Sequence, residues 1–352
     1  YGGGAQIWSP KKLSINKCKF NSNFSGAMGG GILLTLGVQQ EKFTITHCIF
    51  NGNLAKSGGA VRMSANSDFE IFGCIFYGNR AEHSVSSSSQ WGGAIYYGEG
   101  SRSSFKRKIT NSLFVKNSTK TSPWTTSLES SIFTDIPLDI NNCIFWGNEN
   151  NGSIAHGYAM KEQGSPVELS LFNSDGASAN NIFQGWINDS QAISVDPLFE
   201  NIDDPDGPDN KWFTSDDGLR LRSNSPAIDL GINQSLPSDI SDLDKDGNTV
   251  ELIPLDIINR NRIEGQNVDL GPYEFNDKNL TQTIDLNSTV NLEMIWVEPG
   301  TFTMGSPVTE AGRRPDETEH NVTLTKGFYL GKYEVTQAQY EALMNGNTGW
   351  LS

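Results

Sequence analysis

The sequence predicts a mostly β chain: a solenoid of stacked coils in front, an acidic closing segment in the middle, and a small α+β unit at the end. Three observations carry this. A short motif recurs five times in the first 150 residues, an Asp-rich stretch punctuated by Pro and Gly follows, and a different strand-and-helix pattern begins near residue 290.

The recurring motif is a small residue, Phe two positions on, and Asn three after that. Its copies are Cys18–Phe20–Asn23, Cys48–Phe50–Asn53, Cys74–Phe76–Asn79, Ser112–Phe114–Asn117 and Cys143–Phe145–Asn148. An isoleucine precedes each by three positions: Ile15, Ile45, Ile71, Ile109 and Ile140. Steps of 30, 26, 38 and 31 residues separate the copies, the signature of one coil stacked on the last. Within a coil, Phe43-Thr-Ile45-Thr-His-Cys48-Ile-Phe50 alternates with Phe43 and Ile45 on one face. Leu13/Ile15, Phe69/Ile71 and Leu138/Ile140 repeat the pair, while Arg107 breaks it and predicts a local irregularity.

A second marker, Gly-Gly-small-aliphatic, follows at Gly29–Ile32, Gly58–Val61 and Gly92–Ile95. Glycine there suits the positive-φ corner that leads into the next strand. The polar insert from His83 to Gln90 reads as a surface loop. Stacked coils place equivalent residues ~4.8 Å apart, so Phe is expected to stack on Phe and Asn on Asn in a hydrogen-bonded ladder. This Phe-x-x-Asn plus Gly-Gly-Ala-Ile pattern resembles the repeats of polymorphic outer membrane proteins and related bacterial right-handed parallel β-helix proteins, a pectin-lyase-like fold. The resemblance covers roughly residues 1–150 and speaks to architecture rather than activity.

All four cysteines, Cys18, Cys48, Cys74 and Cys143, fall in one slot, and Ser112 fills that slot in the fourth coil. In-register strands hold their Cβ atoms at ~4.8 Å, beyond the ~3.5–4.5 Å of a disulfide, so buried free thiols are expected. The slot is read as one that demands small size. No His adjoins each thiol, and His47 beside Cys48 has no counterpart, which argues against a metal cluster.

The charge is uneven. Residues 1–150 carry 14 Lys/Arg against 9 Asp/Glu, and the remainder 12 against 32. An acidic block of that kind repels nucleic acid and favours cations. No apolar run approaches the ~20 residues that span a bilayer, so no transmembrane segment is expected. The sequence begins at Tyr1 in mid-repeat and ends at Ser352 past a helical pattern, and both ends read as truncations.

Residues 182–275 include Asp196-Pro-Leu-Phe199, Leu219-Arg-Leu221, Ser225-Pro-Ala-Ile-Asp229 and Asp269-Leu-Gly-Pro-Tyr-Glu-Phe275. This order resembles the closing segment of secreted bacterial β-helix proteins of the choice-of-anchor type. Short strands such as Leu219–Leu221 are expected to cap the open end of the solenoid. One loop, Asp242, Asp244, Asp246, Gly247 and Asn248, spaces oxygen ligands like the first half of an EF-hand, with Glu251 as a further ligand for a structural Ca²⁺. The spacing departs from the full pattern, since Ile253 stands at position twelve. A second loop, Asp203 to Asp217, reads mainly as a solvated acidic turn.

A polysaccharide-cleaving site would need Asp, Arg or Lys at matching slots in successive coils, and the motif slots carry Phe, Ile, Cys, Asn and Gly instead. Lys106-Arg107-Lys108 reads as a solvated strand face. Trp91, Tyr96 and Tyr97 are aromatic candidates for sugar stacking, with packing as the plainer reading.

After a polar linker, 276–289, comes Met294-Ile-Trp-Val-Glu-Pro-Gly300-Thr-Phe-Thr-Met304-Gly-Ser306, then His320-Asn-Val-Thr-Leu324, then Glu334-Val-Thr336 leading to Tyr340. The expected structure is a strand pair around Pro299-Gly300, further strands with alternating Val322/Leu324 and Phe328/Leu330, and a helix capped by Thr336. That cap should bond with Gln339, with Tyr340, Leu343 and Met344 on the helix's buried side. These motifs resemble the N-terminal portion of a formylglycine-generating enzyme, or sulfatase-modifying factor, domain of C-type-lectin-like fold, over about 290–352.

The resemblance implies oxidation of a sulfatase cysteine by copper on a cysteine pair. Such a pair does not occur in residues 290–352, so no catalytic residue is carried over and the stretch is expected to be inactive. Met304, Gly305, His320, Glu334 and Thr336 read as scaffold. The domains are thus expected as 1–200 β-helix, 201–275 acidic closing segment, 276–289 linker and 290–352 factor-like fragment. The leading function is a modular secreted or surface bacterial protein. The alternatives are an adhesin or carbohydrate-binding protein with polysaccharide or cell-surface protein partners, and a polysaccharide lyase or hydrolase.

Overall fold

A computed structural model describes residues 2–8, 13–38, 42–66, 68–82, 92–98, 106–120, 130–134, 138–150, 153–154, 156–160, 181–183, 192–193, 195–239, 242–276, 281–297, 300–314, 316–324 and 328–344. The insert 83–90 and Trp91 lie outside them. The chain divides into two units, Tyr1–Phe275 and Asn276–Ser352.

The first unit is a parallel β-solenoid. Each coil contributes one strand to each of several sheets, and the coil-to-coil pairings among the main described strands are parallel, with register shifts at Thr35/Val38 and Gly92/Ile95 in the long-stranded sheet. One sheet stacks Leu13–Asn16, Phe43–Thr46, Phe69–Phe72, Arg107–Thr110 and Asp139–Asn141. Another stacks Lys19–Asn21, Ile49–Asn51, Ile75–Tyr77, Leu113–Val115 and Ile144–Trp146. A longer-stranded sheet runs through Ala5–Trp8, Ile32–Val38, Val61–Asn66, Gly92–Tyr97 and Ser130–Thr134 to His156–Met160.

The expected columns are present. Phe20, Phe50, Phe76, Phe114 and Phe145 stack with centroids 5.0, 4.8, 4.7 and 4.5 Å apart and planes within 6°. Asn23, Asn53, Asn79, Asn117 and Asn148 form a ladder of amide bonds of 2.8–3.1 Å. Each Asn Oδ1 beyond the first also accepts the backbone N–H of the previous Asn, and each Nδ2 donates to the previous coil's Phe carbonyl. Every hydrogen-bonding group of the Asn53, Asn79 and Asn117 side-chain amides is thereby used, which removes the penalty for burying them.

Arg107 does not interrupt the stack. It pairs in register with Phe69, and its Nε donates to the Tyr97 hydroxyl at 2.7 Å. Its side chain is buried, so only Lys106 and Lys108 of the basic run lie toward solvent. The corner glycines Gly29 and Gly58 adopt positive φ as expected, and Gly92 does not. A Cβ at Gly92 would instead meet the Ile95 carbonyl, so close packing fixes glycine there.

The acidic segment is placed differently from the expectation. It does not cap the end of the stack but lies along its side. Phe199, Trp212, Leu219, Leu221, Ala227, Ile257, Leu270 and Tyr273 pack on Ile49, Ile75, Leu113 and Ile144. Those four are the residues between each Cys/Ser and Phe of the repeat, and they face outward from the sheet. A strand apolar on both faces needs cover on both. Leu219–Leu221 forms no strand, only an isolated bridge between Phe199 and Leu221. The aliphatic column ends at Lys19, whose ammonium lies 5.0 Å from the Phe213 ring centroid.

In the second unit, Asn291–Val297 pairs antiparallel with Thr281–Asp285 and with Phe328–Gly331, and Gly300–Met304 pairs with His320–Leu324. The strands flanking Pro299 therefore join different sheets rather than each other. Part of the stretch read as a linker is a strand, because Thr281-Gln-Thr-Ile-Asp285 alternates and finds a partner edge. The helix Gln337–Met344 carries the expected capping box: Thr336 N–H donates to Gln339 Oε1 at 2.9 Å, and Gln339 N–H donates to Thr336 Oγ1 at 3.2 Å.

Its expected buried side is open, with Tyr340 48% and Leu343 67% exposed. Phe328 and Leu330 also face out, while Tyr329 turns in against Trp296 at 5.0 Å. No described residue of this unit is buried.

Candidate functional site

The cysteine slot does more than accept small residues. Each Cys or Ser side chain donates to the carbonyl two residues before it, at 3.0–3.3 Å. Each from Cys48 onward accepts the backbone N–H of the slot in the previous coil, at 3.1–3.5 Å. Serine replaces cysteine at position 112 because its hydroxyl makes the same two bonds. All four thiols are free, and Cys48, Cys74 and Cys143 are fully buried. Burial pushes the Cys143 thiol up to about 12, so it stays protonated. In this slot the thiols serve as structural donors and acceptors.

The residue before each slot has positive φ in every coil: Lys17, His47, Gly73, Asn111 and Asn142. This column forms the seam with the lateral segment. Asn142 exchanges bonds with the Ile232 backbone at 2.9 and 3.1 Å, Asn111 Nδ2 donates to the Asp269 and Gly271 carbonyls, and the Lys17 ammonium meets the Asn259 side-chain carbonyl. His47 is buried, and neither ring nitrogen has a hydrogen-bond partner among the described residues. Gly73 leaves room for its ring, since a Cβ there would lie 2.4 Å from His47 Cδ2.

The carboxylate loop brings its predicted aspartates together. Oxygens of Asp242, Asp244 and Asp246 lie within 4.8 Å of one another, and so do those of Asp239, Asp244 and Glu251. Asp239 was not legible from the spaced-oxygen pattern, because it precedes it. The loop is already shaped by its own bonds: Gly247 N–H to Asp242 Oδ1 at 3.1 Å and Leu243 N–H to Asp239 Oδ2 at 2.7 Å. Asn248 Nδ2 donates to Glu251 Oε2 at 3.2 Å. Desolvation and the neighbouring Asp246, Asp244, Asp239 and Asp242 raise the Glu251 carboxyl above its ordinary range, a repulsion that a cation would relieve.

In the 203 loop Asp203 and Asp217 are tied to other parts of the fold. Asp203 pairs with Lys116, and buried Asp217 accepts the Tyr273 hydroxyl at 2.8 Å and bonds from Phe213 and Thr214.

The solenoid does carry charged residues at matching slots, contrary to the expectation from the motif positions. Ser14, Thr44, Glu70, Lys108 and Asp139 form one in-register column. They occupy the alternate positions between Leu13/Ile15-type pairs and so face outward, where the motif itself has no letter. Lys42 pairs with Glu70. Glu70 and Asp139 are both buried, and Lys108 stands between them in the register of this column. A shallow recess lies beside it, lined by Thr44, Thr46, Glu70, Ser238 and Asp239 among others. Tyr96 and Tyr97 are buried, Tyr96 between the Arg62 guanidinium at 4.2 Å and the Phe133 ring at 5.7 Å, so both pack rather than present a sugar platform.

In the second unit, Gly305 has φ 110° and its absent Cβ would meet the Thr318 carbonyl at 2.6 Å. Met304 pairs with His320 across the strands, and Arg313 Nε donates to the Ser306 carbonyl at 2.8 Å. This signature is a set of turn and pairing constraints.

Residues 282–351 match the family model of the sulfatase-modifying factor enzyme 1-like domain. Residues 73–98 match that of the Chlamydia polymorphic membrane protein repeat. Both matched stretches coincide with the motifs described above. No curated protein and no solved structure gives a significant match. The chain thus joins a β-solenoid with a polymorphic-membrane-protein-type repeat to a partial sulfatase-modifying-factor domain. No helix among the described residues is long and apolar enough to cross a membrane.

Proposed function

We propose that this chain belongs to a modular bacterial surface or secreted protein in which the β-helix is a passive scaffold and the factor-like unit is its cargo. The observation that carries this is the use of every repeat slot in packing or bonding. The Phe, Asn and Cys columns each satisfy their own neighbours and leave no reactive group. The match to a membrane-protein repeat supports display at the outer surface.

Copper, which the resemblance implies, does not fit the thiols of this chain. All four belong to the solenoid and each is bonded to backbone. No oxidative step is therefore derived. Incubating the chain with copper and a cysteine-containing sulfatase peptide should yield no formylglycine by mass spectrometry, and conversion would overturn the scaffold reading.

The 242 loop is proposed to hold a structural Ca²⁺ through Asp242, Asp244, Asp246, Asn248 and Glu251, with Asp239 as an added ligand. Calcium should raise the melting temperature and EGTA reverse it. The shift should vanish in Asp244→Ala, and an EGTA-insensitive wild type removes the ion. The polysaccharide-cleaving alternative has its best footing in the Glu70–Lys108–Asp139 column. It would require release of unsaturated sugars from an acidic polysaccharide, lost in Lys108→Ala.

A further inference from the structure

The seam between the solenoid corner and residues 256–274 buries an unbalanced set of charges. Arg262 is 1% exposed; its two terminal nitrogens donate to the Pro272, Asp269 and Gly271 carbonyls, and Nη1 lies 3.4 Å from Glu274 Oε2. Asp256, Asp269 and Glu274 are buried beside it, and Arg260 is buried as well. Three carboxyl groups thus share two guanidinium groups.

Each carboxyl is also tied to the backbone. Asp256 accepts from the N–H groups of Ile258, Arg260 and Glu274, Asp269 from those of Asp229 and Phe275, and Glu274 from those of Glu264 and Asp269. Across the seam stands His47, buried and facing the charges of Lys17 and Arg262.

We propose that this seam is a proton-linked latch: closing it takes up protons on the carboxyl groups around Arg262 and excludes one from His47. Excess buried negative charge is relieved by protonation, since a buried ionised carboxyl without its own partner is costly. A buried imidazolium that feels the charges of Lys17 and Arg262 meets the opposite constraint.

Other charged groups facing the cluster among the described residues are Lys17 from the solenoid and, from the lateral segment, Lys245 beside Lys17, Asp229 beside Asp269 and the Asp217–Tyr273 pair with Arg220 beside Asp256. Burial pushes Asp256 and Asp269 up to about 6 and Glu274 up to about 8, while desolvation and then the charges of Lys17 and Arg262 push His47 down to about 3.

The signs follow. Carboxyls held above their unfolded values contribute stability that is complete in acid and lost as pH rises through 6 to 8. His47, held below its unfolded value, contributes stability present above ~6.5 and lost as pH falls toward 3. From pH 8 to 6.5 Glu274 alone gains a proton on closing, so the latch tightens by one proton; below about 6 Asp256 and Asp269 add theirs, and His47 offsets one of the three.

The test is peptide-resolved hydrogen exchange on the full chain from pH 8.5 to 5, corrected for the intrinsic pH dependence of exchange. Protection of amides in 256–275 should rise about tenfold per pH unit for each proton taken up. Glu274→Gln should flatten the rise between pH 8 and 7. His47→Asn, which places in this column the residue found at positions 111 and 142, should steepen it below 6.5. Should Glu274→Gln fail to fold, the wild-type series and His47→Asn still decide. Protection that is flat or falls from pH 8 to 6, or a His47→Asn profile identical to wild type, overturns the latch.

Discussion

The two units solve the burial problem in opposite ways. In the solenoid each residue kind meets its own kind one coil away, so Phe76 lies between Phe50 and Phe114 and Asn79 between Asn53 and Asn117. Its interior is closed by nearest neighbours alone, the one-dimensional logic of repeat folds. The factor-like unit has ordered strands, a capped helix and a close-packed Gly305, yet no described side chain is buried. Correct local geometry is therefore separable from a core: the first needs turn and cap chemistry, the second needs surface to press against.

That comparison is broken most sharply by Phe76→Ala. Removing the middle ring of the column should cost about 3–5 kcal/mol in urea unfolding of the solenoid, with the far-ultraviolet signal of the second unit unchanged. Asn79→Ala breaks the amide ladder at its centre and leaves the Phe50 carbonyl and the Asn53 groups without their partner. About 1–3 kcal/mol is expected, by the same measurement.

The thiol slot sharpens the argument about size against bonding. Cys74→Ser keeps both bonds and should cost less than about 1 kcal/mol, whereas Cys74→Val strands the Cys48 N–H and should cost roughly 1–3 kcal/mol. Equal melting temperatures for the two variants would return the slot to a simple matter of volume. Thr336→Ala probes the other unit and should lose about 1 kcal/mol of helix stability by circular dichroism, with no effect on the solenoid transition.

What the sequence displayed was whatever repeats as a letter. The Phe, Asn and Ile columns, the coil register and the capping box were all legible. What it concealed was function shared by unlike letters. The positive-φ corner before each thiol is filled by Lys17, His47, Gly73, Asn111 and Asn142, which share a backbone state and a seam but no side-chain chemistry.

The outward aliphatics Ile49, Ile75, Leu113 and Ile144 also stand between motif letters, and they are the floor on which the acidic segment lies. The charged column hid in positions between motif letters, and Asp239 in front of the calcium-like spacing. The motif Asp269–Phe275 announced a closing segment but not its job. Asp269 and Glu274 are hydrogen-bond acceptors that stitch the segment to itself around Arg262.

The central claim, that like residues pile in columns inside the first unit, is tested most directly by the kinetics of thiol alkylation read by mass spectrometry. Partly exposed Cys18 should label first, while Cys48, Cys74 and Cys143 should react only through unfolding, together and at one urea-dependent rate. Rapid labelling of Cys74 or Cys143 in the native protein, or a disulfide linking any two of the four, would contradict the stacked arrangement.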